Sequence, residues 1–237
     1  MGTPRSFDPI SESKPRTHVV LLLSDVFGHA SRATRDLADH IAFACDAVVV
    51  APNLFGEAGP WAAERGPSGG AAYEDWRAAA AAADRVEADV AKAAAWARET
   101  YAATALGACG VCFGGGRALE LAARAGAGAV DACVALYPTR YCLEDVAGVD
   151  VPTLALFGSD DATPGATASD AERLGGAWAA AGYPDAAVRV FEGRGHAFAH
   201  RPDAESAGDA EIALLLATAW FDLHLRSGAG KTVGSRQ

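Results

Sequence analysis

The chain has 237 residues, 51% hydrophobic and 21% charged, which supplies one sizeable α/β core and excludes a chain disordered throughout. Thirty acidic residues outweigh twenty basic ones for a formal net charge of −10, with two lysines before residue 231, so there is no basic patch for nucleic acid or an anionic membrane surface. About a quarter of the residues are Ala, mostly helix-forming filler.

In chain order, a polar leader over residues 1–16 is expected to be flexible and a single domain to span 17–226. Apolar runs predict strands at 18–23, 47–51, 105–111, 132–137, 153–157 and 187–191; most are continuous, as in parallel strands buried on both faces. Amphipathic or Ala-rich stretches predict helices at 32–44, 73–100, 115–125, 169–181 and 206–225. The Gly/Pro-rich stretch 55–70 reads as a long loop over the carboxyl edge of the sheet, where open α/β sheets place their ligands. A flexible tail is expected at 227–237. The alternation is βαβ rhythm, and it predicts a mostly parallel central sheet of six to eight strands with helices on both faces.

The uncharged stretch 100–116 is too short and too glycine-rich for a membrane span, and no secretory signal is visible. Five cysteines without paired spacing then predict reduced thiols and a cytoplasmic location.

Chemistry concentrates in Gly110-Val111-Cys112-Phe113-Gly114, a G-x-C-x-G between an apolar strand and a helical stretch. A nucleophile on a tight strand-to-helix turn needs tiny residues two before and two after it, and the following helix N-terminus favours a thiolate. A glycine-rich phosphate-binding turn is the plainer alternative. Cys109 and Cys112 also form C-x-x-C, but residues three apart in a strand point to opposite faces and no second C-x-x-C completes a zinc site, so neither a redox pair nor a metal is expected. Cys45, Cys109, Cys133 and Cys142 read as packing residues.

A cysteine nucleophile requires a base and a carboxylate that orients it. His196, between Gly195 and Ala197, follows the last predicted strand, and Gly158-Ser159-Asp160-Asp161 follows the strand at 153–157. A surface histidine and a turn-capping aspartate are the bland alternatives. The order Cys112, Asp160 or Asp161, His196, each after a separate strand, is that of the α/β-hydrolase triad.

Six segments in order resemble the dienelactone hydrolase family, the cysteine branch of the α/β hydrolases, from about Val19 to Leu225. Ser24-Asp25-Val26-Phe27-Gly28 is similar to the family's Q-E-x-F-G, Ala51-Pro52-Asn53-Leu54-Phe55 to its P-D-L-Y, and Tyr73 with Trp76 to its Y-x-x-W. Gly110 to Gly115 is similar to its elbow, Gly158 to Asp161 to its acid loop, and Gly195-His196-Ala197-Phe198 to its G-H-x-F.

The resemblance implies an α/β-hydrolase fold and a hydrolase of a small ester or lactone, of carboxymethylenebutenolidase type, without cofactor or metal, as a monomer or homodimer. It implies Cys112 as nucleophile, His196 as base, Asp161 as orienting acid and the amides of Val26 and Phe113 as oxyanion donors. Asp25 stands where the family has a thiol-contacting glutamate. Tyr73, Trp76 and Phe198 would line the substrate pocket. The family's two carboxylate-binding arginines are replaced by Gly69 and His200, with Arg65, Arg77 and Arg201 nearby in sequence. The rival reading is a noncatalytic ligand-binding or redox-sensing protein on the same fold.

Overall fold

The computed structural model describes residues 18–62, 65, 69–124 and 130–226. The leader, the tail and parts of the loop at 55–70 lie outside the described residues. Among the described residues six parallel strands form one sheet: β1 (His18–Leu23), β2 (Val48–Val50), β3 (Ala105–Val111), β4 (Ala132–Leu136), β5 (Thr153–Gly158) and β6 (Ala186–Phe191). Their spatial order is β2-β1-β3-β4-β5-β6. The register pairs Leu21 with both Val50 and Ala108, and Val111 with Leu136.

Among the described residues seven α-helices connect and cover the strands: α1 (Arg32–Ala44), α2 (Ala71–Ala80), α3 (Ala83–Thr100), α4 (Phe113–Ala123), the short α5 (Leu143–Val146), α6 (Ala168–Ala181) and α7 (Ala207–Arg226). Local chemistry marks several ends. Ser31 caps α1 by accepting the Thr34 amide, Thr167 and Asp170 close a reciprocal capping box on α6, and Gly182 ends α6 in the left-handed region.

Alternate side chains of each strand feed two cores. Val19, Leu21 and Leu23 share one core with Val90 of α3, Leu119 of α4 and Leu174 of α6, whereas Val20 and Leu22 share the other with Ile41 of α1 and Phe221 of α7. The helix expected at 73–100 is two helices, interrupted at Ala81 and Ala82. Arg85 covers the interruption, donating to the carbonyls of Ala80 and Leu54.

The topology itself locates a crevice. From β1 the chain moves outward to β2 and then returns to β3 on the other side of β1, so the connections leaving β1 and β3 diverge at their carboxyl ends. Ligands of open α/β sheets bind at this kind of reversal.

Candidate active site

Cys112 stands at that reversal, between the end of β3 and the first turn of α4. Its backbone adopts φ 54°, a conformation that L residues avoid. A Cβ on Gly110 would run into the Gly114 carbonyl, and one on Gly114 into the Leu23 carbonyl. Glycine at both places is therefore what lets α4 rise directly out of the sheet with the thiol at its tip.

His196 lies beyond β6, and its Nδ1 is 2.6 Å from Asp161 Oδ2. The Asp161 side chain is fully buried, and its other oxygen accepts the Thr163 amide at 2.8 Å. Asp160 points elsewhere, its Oδ1 accepting from Ser159 Oγ at the surface. The two aspartates left open by the sequence are thus separated by geometry, and Asp161 is the one against the imidazole. Burial alone would lower the His196 pKa, but hydrogen bonds to Asp161 and Cys112, with the charge on both, reverse this and push it up to about 10.

The other thiols differ in kind. Burial pushes Cys45 up to about 11 and Cys109 up to about 12, and raises Cys133 further. Cys142 is exposed, but its thiol donates to Glu144 at 2.8 Å, which raises it too. All five are free, and Cys112 alone combines partial exposure with an imidazole partner.

Phe113 follows the thiol in sequence, and Val26 follows β1, the strand next to β3 in the sheet. Phe113 opens α4, and Val26 sits in the turn after β1, its carbonyl accepting from the Trp61 amide at 2.8 Å. Neither of their amides donates to another group among the described residues. Thr139, buried after β4, brings its hydroxyl to 3.8 Å from Cys112 Sγ.

Asp25 is not turned to the thiol. Its Oδ1 accepts the Phe27 amide at 2.9 Å, while Oδ2 meets His200 Nε2 at 2.9 Å and the guanidinium of Arg201. No hydrogen bond joins it to Cys112. The shorter aspartate side chain, the buried His200 imidazole, the half-buried Arg201 guanidinium and the neighbouring amide account for this orientation.

Tyr73 and Trp76 come together on α2 with Phe55, Trp61 and Phe113 in one aromatic cluster, ring centroids 5.2 to 5.7 Å apart. The charge of Cys112 reaches Tyr73 and adds to burial in raising its phenol. Phe198 is elsewhere: it packs on Phe191 and Tyr137 in the core facing α1 and α7, bracing the His196 loop from below. Of the nearby arginines, Arg77 and Arg140 both pair with Glu74, at 2.7 and 2.9 Å, and Arg65 lies over the Trp61 ring. His200, which stands where the family has a carboxylate-binding arginine, and Tyr137, which the sequence did not single out, are buried beside His196. The four-residue spacing from His196 to His200 was the one available signal.

The sequence profile of the dienelactone hydrolase family matches residues 9–225. The chain belongs to the dienelactone hydrolase family. No curated protein matches it in sequence. Among solved structures it is similar to a candidate dienelactone hydrolase of Klebsiella pneumoniae subsp. pneumoniae MGH 78578, with TM-score 0.71 and 22% identity over 90% of this chain and 89% of that one. It is also similar to the Pyrobaculum calidifontis esterase, with TM-score 0.62 and 16% identity over 90% and 78%. The Anabaena variabilis ATCC 29413 dienelactone hydrolase gives TM-score 0.59 and 17% identity over 90% and 89%. These likenesses bear out the α/β-hydrolase fold, and membership of the family supports an ester hydrolase. No helix among the described residues is long and apolar enough to cross a membrane.

Proposed function

We propose that this dienelactone hydrolase family member cleaves small esters or lactones through an acyl-cysteine intermediate. The observation that carries the reading is the line from Asp161 through His196 to Cys112, with the thiol on a strained turn at the sheet's topological reversal.

The Cys112 thiolate attacks the carbonyl carbon, and the resulting oxyanion is received by the Val26 and Phe113 amides. Collapse of the tetrahedral adduct breaks the carbon–oxygen bond, with His196 giving its proton to the leaving alkoxide. Water then attacks the thioester, His196 takes one of its protons, and the acid and the free thiolate are released. Asp161 keeps the imidazole oriented and stabilises its charged form throughout.

A dienelactone is not a required substrate. The family's arginine positions hold Gly69 and His200, and Arg77, Arg140 and Arg201 are each already paired with a carboxylate. Uncharged activated esters and enol lactones, whose leaving groups depart readily, suit this site better. A reducing compartment such as the cytoplasm would keep Cys112 usable.

In the Cys112→Ala variant hydrolysis of an activated aryl ester should vanish, and mass spectrometry of the wild-type protein quenched during turnover should find the acyl group on Cys112. Full activity in that variant would overturn the proposal.

A further inference from the structure

Three buried polar side chains beside the site have no part in the steps above. Tyr137, immediately after β4, packs its ring against both histidines, centroids 5.2 Å from His196 and 5.7 Å from His200. Its hydroxyl is 2.6 Å from His200 Nδ1, and His200 Nε2 is 2.9 Å from Asp25 Oδ2. The His200 side chain is fully buried and that of Asp25 is 2% exposed. Buried polar atoms of this kind are costly unless every donor meets an acceptor.

With Asp25 ionised, one proton pattern satisfies the chain: His200 Nε2–H donates to the carboxylate, so Nδ1 must accept from the Tyr137 hydroxyl. Burial lowers the His200 pKa and raises that of Tyr137 well above the usual phenol value, so both remain neutral and the pattern persists. At the other end, Asp25 Oδ1 accepts the Phe27 amide at 2.9 Å. The peptide between those two residues belongs to Val26, the donor assigned to the oxyanion. Arg201, stacked over the Phe27 ring at 4.4 Å, adds its guanidinium to the same carboxylate.

We propose that His200 is a positioning residue: by holding Asp25 it fixes the turn from Asp25 to Phe27 and so aims the Val26 amide at the oxyanion, without touching substrate. The proposal rests on the acyl-cysteine reading. Donors aimed before reaction are what make such a hole effective, and here the aiming groups are tied to the segment that carries His196, four residues away. The base and the hole are thereby held by one short stretch of chain.

Two reactions of the same thiolate separate this role from general support of the site. Alkylation by iodoacetamide forms a carbon–sulfur bond and expels iodide without building an oxyanion, whereas ester hydrolysis builds one. In the full-length His200→Phe variant, kcat for an activated aryl ester should fall about 10- to 100-fold, with KM and the rate of Cys112 alkylation unchanged. His200→Gln, which keeps a donor toward Asp25, should recover most of kcat. Asp25→Asn should reproduce the loss and decides the question if His200→Phe does not fold. An undiminished kcat, or a parallel fall of kcat and alkylation, would overturn the proposal, the latter by placing His200 in support of the triad. Activity surviving in Cys112→Ala strikes the acyl-cysteine reading instead, so the two failures are distinguishable.

Discussion

Residue by residue, the most informative group is His196, because under the proposed acyl-cysteine route its protonation state decides which esters are turned over. Its pKa is raised from 6.5 to about 10, so the imidazolium that protonates a leaving alkoxide persists from low pH up to that value and is lost above it. For an alkyl ester, kcat/KM should therefore hold through neutral pH and descend near pH 10. An activated aryl ester, whose phenolate leaves without a proton, should lack the descending limb. A pH–rate profile on both substrates checks this, and a descent near pH 6.5 with the alkyl ester would mean an ordinary imidazole. The elbow glycines make a second prediction at this scale. In Gly114→Ala the new methyl meets the Leu23 backbone carbonyl, which cannot swing aside, so the fold should lose about 3 kcal/mol or more. Urea unfolding measures it, and a loss within error would mean that α4 can shift. Cys112, Gly110 and Gly114 were legible in the sequence because the turn's steric demand is written in residue size. Asp161 was not separable from Asp160, since adjacent residues in a turn carry the same chemistry and only the backbone path decides which one faces the imidazole.

Among the elements, the six strands and the helices α1, α6 and α7 were legible within a residue or so, as expected where polar residues, Gly or Pro bound the apolar runs. The stretch from α2 to α3 was not. Ala78 to Ala83 is six alanines in a row, equally good helix formers, so nothing local marks a stop. The interruption is imposed by tertiary structure: Ala80 and Ala81 are buried, and Arg85 returns to bind the carbonyls of Ala80 and Leu54. This tie holds α2, with Tyr73 and Trp76, against the loop that carries Phe55. Arg85→Ala should cost about 1–2 kcal/mol through the carbonyls it abandons, and it should raise KM by freeing the aromatic cluster while leaving Cys112 alkylation untouched. Thermal unfolding together with steady-state kinetics reads both effects. Stability lost without any change in KM would detach the break from the substrate site. The buried network of Tyr137, His200 and Asp25 also escaped the sequence, because it joins the ends of β4, β6 and β1, whose adjacency exists only once the sheet order is known.

For the whole molecule, the decisive property is the excess of acidic charge set against cations that are already engaged. With a net charge of −10, the long-range field repels an anionic substrate. The arginines around the site are engaged locally, Arg201 by Asp25, and Arg77 and Arg140 by the single carboxylate of Glu74 that they share. Repulsion without a local clamp predicts a particular salt dependence. Raising ionic strength from about 0.01 to 0.15 M shortens the screening length from about 30 to 8 Å. It should therefore increase kcat/KM for an ester that carries a free carboxylate and leave its uncharged analogue unaffected. Stopped-flow or initial-rate measurements on the matched pair give the two slopes directly. A slope of the opposite sign for the carboxylated ester would mean that one of these arginines abandons its protein carboxylate for the substrate, and paired Arg201→Ala and Arg140→Ala variants would then show which one, because the salt-sensitive attraction disappears only with the residue that supplies it.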